Sequence, residues 1–338
     1  MKINKENIVL LFDKFSKKTV LIIGDVMLDD YIMGTVSRIS PEAPVPVLDI
    51  KSRHVCLGGA ANVALNVQAL GAKAILGSVV GKDKKSIEFL ELLKKENLSN
   101  EGILESENRI QTVKYRAIGN NTQLLRLDNE VTIPLNEEDE KKFLLHLLHI
   151  LNTQKIDAII FEDYDKGIIT KNIIKEIISF ANQKSIPVAV DPKKRNFLDY
   201  KNSTIFKPNF KELKEGLLLV ENWNNEQTLN KIRNFMQEKQ HENLLLTLSH
   251  EGVLICQLEN NNFTYKHIPA HLRNIADVSG AGDTVISIAT LCLTLNLDIE
   301  DIAMLSNLAG GLVCEKIGVV VLNIQKIIEG ATCIYDEY

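Results

Sequence analysis

The chain has 338 residues, of which 45% are hydrophobic and 25% charged, a composition typical of a soluble globular protein. A chain of this length can bury a large core without disulfides or metal ions, and it predicts one large domain or two small ones. The formal net charge is −5, from 39 Lys and Arg against 44 Asp and Glu, with no block of basic residues. This charge pattern does not favour nucleic acid, so no nucleic-acid partner is expected.

The cysteines and the N-terminal residues indicate a reduced compartment. The five cysteines are scattered and include no C-x-x-C pair, which argues against a zinc ribbon or a disulfide framework. The first apolar run, IVLLF at 8–12, is too short for the core of a signal peptide. No run of about 18 apolar residues occurs, so no membrane partner is expected. The sequence therefore predicts a cytoplasmic protein.

Apolar runs rich in Val and Ile alternate with helical patterns along most of the chain. Strands are predicted at 19–24, 74–80, 157–161, 187–190 and 244–248. Helices are predicted at 60–70, where Gly71 supplies a left-handed C-cap, and at 84–95, 137–152, 170–183 and 224–239. This alternation predicts an α/β fold, with a mainly parallel sheet covered by helices on both faces.

Two stretches interrupt the alternation. Short extended runs at 110–118 and 124–128 flank a Gly-Asn-Asn turn and, with 44–53, predict a small antiparallel sheet that stands off the main one. The C-terminal third reads as successive helices at 282–295, 299–317 and 324–329. The chain is therefore expected to form a single domain over residues 1–338, with a lid formed by segments near 31–57 and 110–128.

Several common catalytic signatures are absent from the sequence. There is no G-x-x-x-x-G-K-[ST], and the first predicted strand leads into Asp25-Val26-Met27 rather than a G-x-G-x-x-G turn. H-E-x-x-H and G-x-S-x-G are missing as well. A P-loop, a dinucleotide fold, a zinc protease and an α/β-hydrolase therefore receive no support.

The sharpest remaining feature is the segment DVSGAGDT at 277–284, directly before an apolar helix. The small residues Gly280, Ala281 and Gly282 let the backbone approach a ligand, and the unpaired N–H groups of the helix start form an anion hole. Such a hole suits the negative charge that develops during phosphoryl transfer. Asp283 can then act as the base for a hydroxyl nucleophile, and the alternative is that it only caps the helix.

A second feature is the segment KPNFKE at 207–212, after another apolar run. Asn209 and Glu212 place two oxygen-bearing side chains on one helix face, where they can order the water shell of Mg²⁺ beside nucleotide phosphates. The alternative is a capping box, in which the same two residues only satisfy the first turn of the helix.

Candidate sugar-binding residues lie near the first strand. Gly58 and Gly59 open a helix and expose bare backbone, and Asn62 can bond hydroxyls. Asp25 and Asp29 follow the first strand, where open α/β sheets place their ligands, and their carboxylates suit sugar hydroxyls. Tight turn packing and solvated loop acids are the alternatives.

The expected lid and its approaches are rich in basic side chains. They are Arg38, Arg53, Lys114, Arg116 and Arg126. Such a cluster suits a substrate that already carries a phosphate. Solvated charges on a small sheet are the alternative.

Taken together, these features resemble the ribokinase (PfkB-type) carbohydrate kinase family over essentially the whole chain. Gly58-Gly59, Asn209 with Glu212, and GAGD at 280–283 match that family's motifs in order. The resemblance implies a three-layer α/β sandwich with a β-lid, ATP and Mg²⁺ as cofactors, and Asp283 as the base that activates the acceptor hydroxyl.

Further segments are similar to the signature of the D-glycero-β-D-manno-heptose-7-phosphate kinases. They are GDVMLD at 24–29, SRISPEAPVPV at 37–47, GGAANVA at 58–64, DYDKG at 163–167 and DPK at 191–193. This resemblance implies phosphorylation of the anomeric hydroxyl to give the 1,7-bisphosphate, on the route to nucleotide-activated heptose for lipopolysaccharide. Carried over by position, the nucleotide contacts are Asn209, Glu212, Thr247, Ser249, Gly252 and Asn307, and the sugar contacts are Asp25, Arg38, Gly58, Gly59 and Asn62.

The resemblance leaves alternatives open. Many members of the heptose kinase group continue into a nucleotidyltransferase, whereas this sequence stops at Tyr338, so a separate nucleotidyltransferase is expected in the pathway. Another sugar kinase, of the fructokinase or ribokinase type, and a catalytically inactive sugar or nucleotide sensor are the competing interpretations. A homodimer formed through the lid is also expected, because a small exposed sheet has edges that need cover.

Overall fold

A computed structural model describes Ile3 and residues 7–270, 275–316 and 318–337. The strands are β1 (Thr19–Gly24), β2 (Val26–Ile39), β3 (Pro46–Gly59), β4 (Lys73–Val80), β5 (Ile103–Glu105), β6 (Thr112–Gly119), β7 (Thr122–Asn129), β8 (Ala158–Glu162), β9 (Val188–Asp191), β10 (Ile205–Phe206), β11 (Asn243–Thr247), β12 (Val253–Glu259) and β13 (Asn262–Ile268). The helices are α1 (Ile8–Asp13), α2 (Ala60–Ala69), α3 (Lys84–Lys95), α4 (Glu137–Thr153), α5 (Lys171–Gln183), α6 (Phe210–Gly216), α7 (Glu226–Lys239), α8 (Ala281–Leu293), α9 (Ile299–Val313) and α10 (Ile324–Glu337).

The main sheet of the described residues has nine strands in the order β13-β12-β11-β10-β9-β8-β1-β4-β5. All of its strand pairs are parallel except β11–β12 and β12–β13, which are antiparallel and place the β12–β13 hairpin at one edge of the sheet. The sequence analysis missed this hairpin, although its turn at Asn260 and Asn261 has positive φ at both positions, as a two-residue hairpin turn requires. The carboxyl ends of the parallel strands meet at one edge of the sheet, on both sides of β1.

Hydrophobic cores lie on both faces of this sheet, as the sequence predicts. In β1, Val20 and Ile22 belong to the core shared with α2, α8 and α9, whereas Leu21 and Ile23 belong to the core shared with α4 and α5. Successive side chains of a strand point to opposite faces, so a strand buried on both sides reads as a continuous apolar run. The three-layer α/β sandwich is thereby confirmed.

A second, four-stranded sheet, called the small sheet below, has the order β3-β2-β6-β7. The β6–β7 pair is antiparallel as expected, the β2–β3 pair is also antiparallel, and β2 and β6 run parallel to each other. Only one residue, Asp25, separates the end of β1 from the start of β2, so the small sheet extends from the carboxyl edge of the main sheet. The sequence analysis did not predict β2, because buried acids at Asp29 and Asp30 break its apolar pattern.

The C-terminal helices differ from their predicted bounds. The helix expected at 299–317 ends at Val313, and Ile317 lies outside the described residues. The helix expected at 324–329 continues to Glu337, because Ile327 and Ala331 extend its buried face. Within the described part of the chain, no helix combines the length and the apolar character that crossing a membrane requires.

The packing of α4 on the main sheet gives a direct test of the fold. Leu147 is fully buried and contacts the sheet near Gly77, whereas Leu145 of the same helix is 58% exposed. We expect Leu147→Ala to lower the free energy of unfolding by about 2–5 kcal/mol, because it leaves a cavity. Leu145→Ala is the matched control and should change it by no more than about 0.5 kcal/mol. Urea unfolding followed by circular dichroism measures both, and equal losses would contradict this packing.

Candidate active site

Asp283 lies in the first turn of α8 and is held by side chains from two other elements. Nδ2 of Asn62, on α2, donates to its Oδ2 at 2.6 Å, and the hydroxyl of Tyr164, after β8, donates to its Oδ1 at 2.8 Å. Burial raises the pKa of Asp283 to about 6, although both hydrogen bonds act to lower it. The carboxylate is therefore ionised at neutral pH and has enough basicity to accept a hydroxyl proton.

The segment before Asp283 has the form of an anion hole. Gly280 is the N-cap of α8 with φ of +78°, and the N–H groups of the first helical turn have no acceptor within the helix. The carboxylate of Asp277 fixes this turn, since it accepts hydrogen bonds from the Ser279 N–H and hydroxyl and from the Gly318 N–H. The Ala281 N–H donates to the Val278 carbonyl oxygen, and the N–H groups of Gly282 and Asp283 have no backbone acceptor among the described residues, so these two donors remain at the helix start.

Two further carboxylates lie against Asp283. Carboxylate oxygens of Glu162, at the end of β8, and Asp191, at the end of β9, lie within 4.8 Å of each other and of an Asp283 oxygen. We call these three residues the acidic trio. Both oxygens of Glu162 are buried without a hydrogen-bond partner among the described residues. Burial and the charges of Asp191 and Asp283 raise the pKa of Glu162 well above its usual value.

Two lysines compensate the charge of the trio. The Lys207 ammonium, at the end of β10, is 2.7 Å from Asp191 Oδ2 and is almost fully buried. The Lys193 ammonium pairs with Glu212, lies 3.8 Å from Asp191 Oδ1 and stands 5.2 Å from the centre of the Tyr164 ring. The surrounding carboxylates raise the pKa of both lysines, so both are charged.

On the predicted nucleotide side, Asn209 and Glu212 form a complete capping box at the start of α6. Asn209 Oδ1 accepts from the Glu212 N–H, and Glu212 Oε2 accepts from the Asn209 N–H, each at 2.8 Å. The other Glu212 oxygen pairs with Lys193. The capping interpretation is therefore realised, and it holds both side chains rigidly at the carboxyl edge of the sheet.

The remaining predicted nucleotide residues lie along one side of this edge. Thr247 ends β11 and forms an isolated bridge with Asn209. Gly252 has φ of +95°, and a Cβ there would lie 2.1 Å from the Ile268 carbonyl oxygen, so only glycine fits. Asn307, on α9, donates to the carbonyl of Pro269, next to the same turn, and Ser249 is exposed beside it. The structure thus brings these residues together.

The Asp25 carboxylate makes contacts that differ from those expected of a sugar ligand. Its Oδ2 accepts from the N–H groups of Tyr164 and Lys166 at 2.8 and 3.1 Å, and its Oδ1 accepts from Ile168 at 3.1 Å. Both oxygens are thus used to anchor the loop after β8. The geometry makes Asp25 the residue that positions Tyr164 against Asp283.

The glycine pair permits close packing beside the base. A Cβ on Gly58 would lie 2.2 Å from Asp29 Oδ2, and a Cβ on Gly59, where φ is +61°, would lie 2.4 Å from the Asp25 carbonyl oxygen. Asp29 in turn pairs with Arg116. The tight-packing alternative therefore accounts for both glycines, and Asn62 is engaged with Asp283 rather than free.

The structure separates the predicted basic residues into two groups. Lys114 and Arg116 point toward the site: Lys114 Nζ is 5.4 Å from the centre of the Tyr164 ring, and it has no ion-pair partner among the described residues. Arg116 stacks on Tyr31 and is paired with Asp29. Arg126 lies directly opposite Arg116 in the β6–β7 pairing and pairs with Asp128, whereas Arg53 pairs with buried Asp30 and Arg38 is exposed at the distal end of β2.

A buried base beside an anion hole, with a row of lysines and a small sheet over one edge, is a phosphotransferase arrangement. The sequence model of the pfkB family carbohydrate kinases matches residues 17–326. The chain belongs to this family. It is therefore a sugar kinase, and family membership implies ATP as the phosphoryl donor.

Curated relatives match nearly all of this pfkB chain. The bifunctional protein HldE of Aliarcobacter butzleri (strain RM4018) is 37% identical over 314 residues, which cover 93% of this chain and 64% of that protein. The bifunctional protein HldE of Helicobacter pylori (strain HPAG1) is 35% identical over 311 residues, 92% of this chain and 65% of that protein. The chain thus spans just under two thirds of the length of these relatives.

Solved structures share the fold. Phosphofructokinase-2 from Escherichia coli in complex with substrates and products has a TM-score of 0.75 at 17% identity, over 94% of this chain and 99% of that one. Arabidopsis thaliana ribokinase complexed with ribose and ATP has a TM-score of 0.67 at 13% identity, over 92% and 99%. At these identities the likeness concerns the fold of this pfkB chain and not its substrate.

Sequence reasoning assigned no role to several residues of the site, although four of them lie in the segments DYDKG, DPK and KPNFKE that it singled out. They are Glu162, Tyr164, Asp191, Lys193 and Lys207. Each follows or ends a predicted parallel strand, or the run before KPNFKE, and the carboxyl ends of parallel strands are where α/β sheets place ligands. That positional rule, applied to every strand rather than to the first alone, would have selected them.

The hydrogen bond from Tyr164 to Asp283 gives a prediction about pH. The base works only when ionised, so we expect the acid limb of kcat/KM to fall near pH 6 in the parent enzyme. Tyr164→Phe removes a bond that lowers the pKa of Asp283, so the limb should move to higher pH. ADP release measured across pH with an accepted sugar checks this.

Tyr200→Phe is the matched control, since the Tyr200 hydroxyl donates to a different buried carboxylate, that of Asp163. Its acid limb should coincide with that of the parent. A Tyr164→Phe limb that also coincides with the parent would remove the Tyr164 hydroxyl from the control of Asp283.

Proposed function

We propose that this sugar kinase transfers the γ-phosphoryl group of ATP to the anomeric hydroxyl of D-glycero-β-D-manno-heptose 7-phosphate, giving the 1,7-bisphosphate. The observation that carries the proposal is the unpaired Lys114 ammonium beside Tyr164, whose hydroxyl bonds the base. The signature segments shared with the heptose-7-phosphate kinases and the kinship with bifunctional HldE proteins support the same substrate. We assign only the kinase reaction to the described residues.

In this mechanism Asp283 accepts the proton of the anomeric hydroxyl as its oxygen attacks the γ-phosphorus. The attacking oxygen needs a base close to its own proton, and Asn62 and Tyr164 hold the carboxylate in one orientation. The N–H groups at the start of α8 stabilise the negative charge on the transferred group. The Ser279–Asp277 contact keeps that turn in place before substrate binds.

The small sheet supplies the proposed contact to the 7-phosphate. Lys114 lies on β6 and is partly buried, and this burial lowers its pKa because it removes part of the hydration of the ammonium. Its charge has no ion-pair partner within the described residues, and a phosphate dianion would provide one. Arg116 lies two residues further along the same strand face and can share the phosphate while it keeps its pairing with Asp29.

The nucleotide is proposed to lie along Asn209, Glu212, Thr247, Ser249, Gly252 and Asn307. Mg²⁺ prefers oxygen ligands and retains several waters, and the amide of Asn209 and the carboxylate of Glu212 suit such indirect binding. Both side chains are fixed by the capping box and neighbour the buried acidic trio, so the site offers oxygen donors and negative charge. Bound Mg²⁺ would neutralise charge on the ATP phosphates.

A second sugar-phosphate kinase reaction is the alternative that the structure also favours. The Lys114 charge would serve any phosphorylated sugar, and phosphofructokinase-2 shares the fold. The two interpretations keep the same base and the same anion hole, and they differ only in the sugar.

The deciding experiment is sugar-dependent ADP release with MgATP across a panel of acceptors. The panel contains D-glycero-D-manno-heptose 7-phosphate, fructose, fructose 6-phosphate, fructose 1-phosphate and ribose. We expect strong turnover with the heptose phosphate alone. Turnover confined to another sugar would overturn the proposed substrate, and binding of MgATP without turnover of any sugar would favour a sensor.

Asp283→Asn is the control for that assay. The amide keeps the shape of the carboxylate but cannot take the proton, so we expect turnover to be abolished while nucleotide and sugar still bind. Turnover within about tenfold of the parent would show that Asp283 is not the base.

Lys114→Met tests the phosphate contact. The variant loses the charge and keeps the chain length, so we expect KM for the heptose phosphate to rise by about 10- to 100-fold, a loss of about 1.5–3 kcal/mol. Inhibition by the unphosphorylated heptose should change little. Lys141→Met, at an exposed position of α4, is the control. Equal losses for the phosphorylated and unphosphorylated sugars would contradict a phosphate contact at Lys114.

A further inference from the structure

Lys207 is a buried cation that none of the contacts above assigns to the base, the nucleotide or the sugar. It directly follows β10 and precedes Pro208 and the capping box. Its side chain is only 3% exposed, and its ammonium is 2.7 Å from Asp191 Oδ2. Burying a lysine is costly unless its charge is used, so its position calls for an explanation.

The ammonium faces the start of α8. A Cβ added to Gly282 would lie 3.5 Å from Lys207 Nζ and 3.6 Å from Asp191 Oδ2. The space beside Gly282 is therefore bordered on one side by the helix start, where the N–H groups of Gly282 and Asp283 have no backbone acceptor among the described residues, and on the other by the lysine. Because residue 282 has no side chain, that space stays open to a ligand.

The ion pair with Asp191 uses only part of the donor capacity of Lys207. An ammonium carries three N–H donors, and Asp191 is the one carboxylate within ion-pair distance of Lys207 among the described residues. Asp191 is also approached by the second ammonium, that of Lys193, at 3.8 Å. Donors of Lys207 thus remain for a ligand that enters the space beside Gly282.

We propose that Lys207 contacts the phosphoryl group during its transfer and stabilises the charge on its equatorial oxygens. In the balanced step, the bond from the acceptor oxygen to the γ-phosphorus forms, and the bond from that phosphorus to the β–γ bridging oxygen breaks. The hydroxyl proton goes to Asp283, ADP leaves, and Lys207 keeps its protons throughout. A fixed cation in a buried site costs no reorganisation when this charge develops.

A purely electrostatic role beside the base is the competing explanation. The charged groups around Lys207 are Asp191, Glu212, Glu162 and Asp283, with Lys193 beyond them, and the positive charge of Lys207 lowers the pKa of Asp283. If Lys207 only kept Asp283 ionised, its loss would be repaired at high pH, where Asp283 ionises without help. A direct phosphoryl contact would not be repaired.

The test compares Lys207→Met with the parent at saturating MgATP and sugar. We expect kcat to fall on the order of 100- to 1,000-fold, as for other single donors to a transition state, and the loss to persist at about pH 9. Calorimetry should show MgATP binding within about threefold of the parent, because the contact matters only in transfer. Binding of MgADP with aluminium fluoride and sugar, an analogue of the transferring group, should be lost.

Controls separate this role from stability. Lys239→Met removes another buried lysine, on α7 and outside the site, and should leave kcat unchanged. Because Lys207→Met leaves Asp191 uncompensated, the double variant Asp191→Asn/Lys207→Met restores neutrality and keeps the test possible if the single variant does not fold. A folded variant whose kcat is within about threefold of the parent, or recovers at about pH 9, or that retains the analogue, would overturn the proposal.

The inference rests on the sugar kinase activity and not on the identity of the sugar. The assay uses whichever acceptor of the panel the parent enzyme phosphorylates best. A parent that prefers another sugar would contradict the heptose substrate and leave this test intact. A parent that turns over the heptose phosphate, with a Lys207→Met variant equally active, would contradict only the role of Lys207.

Discussion

The carboxylate of Asp25 fixes the geometry of the site, because it accepts hydrogen bonds from three backbone N–H groups of the loop after β8. Those three bonds give the loop one conformation and set the Tyr164 ring between β8 and α8. The Tyr164 hydroxyl then donates to Asp283, and its ring lies near the ammonium groups of Lys114 and Lys193. The proposed base and the proposed nucleotide and sugar sides are therefore positioned by one loop, and one buried acid holds that loop.

The second organising principle is charge balance in a small buried volume. Three carboxylates within 4.8 Å repel one another, which contributes to the raised pKa of Glu162, and the ammonium groups of Lys207 and Lys193 around Asp191 offset part of this repulsion. Buried charges of this kind add little to stability. They are better explained by a substrate that arrives with several negative charges and a reaction that moves one phosphoryl group among them.

The small sheet connects this buried chemistry to the substrate. It grows directly out of the carboxyl end of β1, so Lys114 on β6 reaches the Tyr164 ring without a long loop. Successive side chains of β2 point to opposite faces of the small sheet. Asp29 therefore pairs with Arg116 toward the site, and the adjacent Asp30 pairs with Arg53 on the other face. The β6–β7 register places Arg126 directly opposite Arg116, so Arg126 lies on the strand face of Lys114 and Arg116.

The sequence by itself determined the fold class and the family, and it singled out two segments of the candidate site. Continuous apolar runs that alternate with helical patterns, glycine turns and the motifs GG, NxxE and GAGD are local patterns, and each depends only on residues close in the chain. Asp283 and the capping box of Asn209 could therefore be identified without a structure. The 14-residue strand β2 could not, because its buried acids look like a polar loop until their partners are known.

Only the tertiary structure decided what each charged group does. Asp25 looked like a ligand for sugar and is an anchor for Tyr164; Arg38 lies in the shared signature and is exposed at the far end of β2. Lys207 looked like the residue before a cap and is a buried cation facing the helix start. The physical reason is that burial and partner choice arise from contacts between residues far apart in the chain, and the local sequence encodes the charge but not its surroundings.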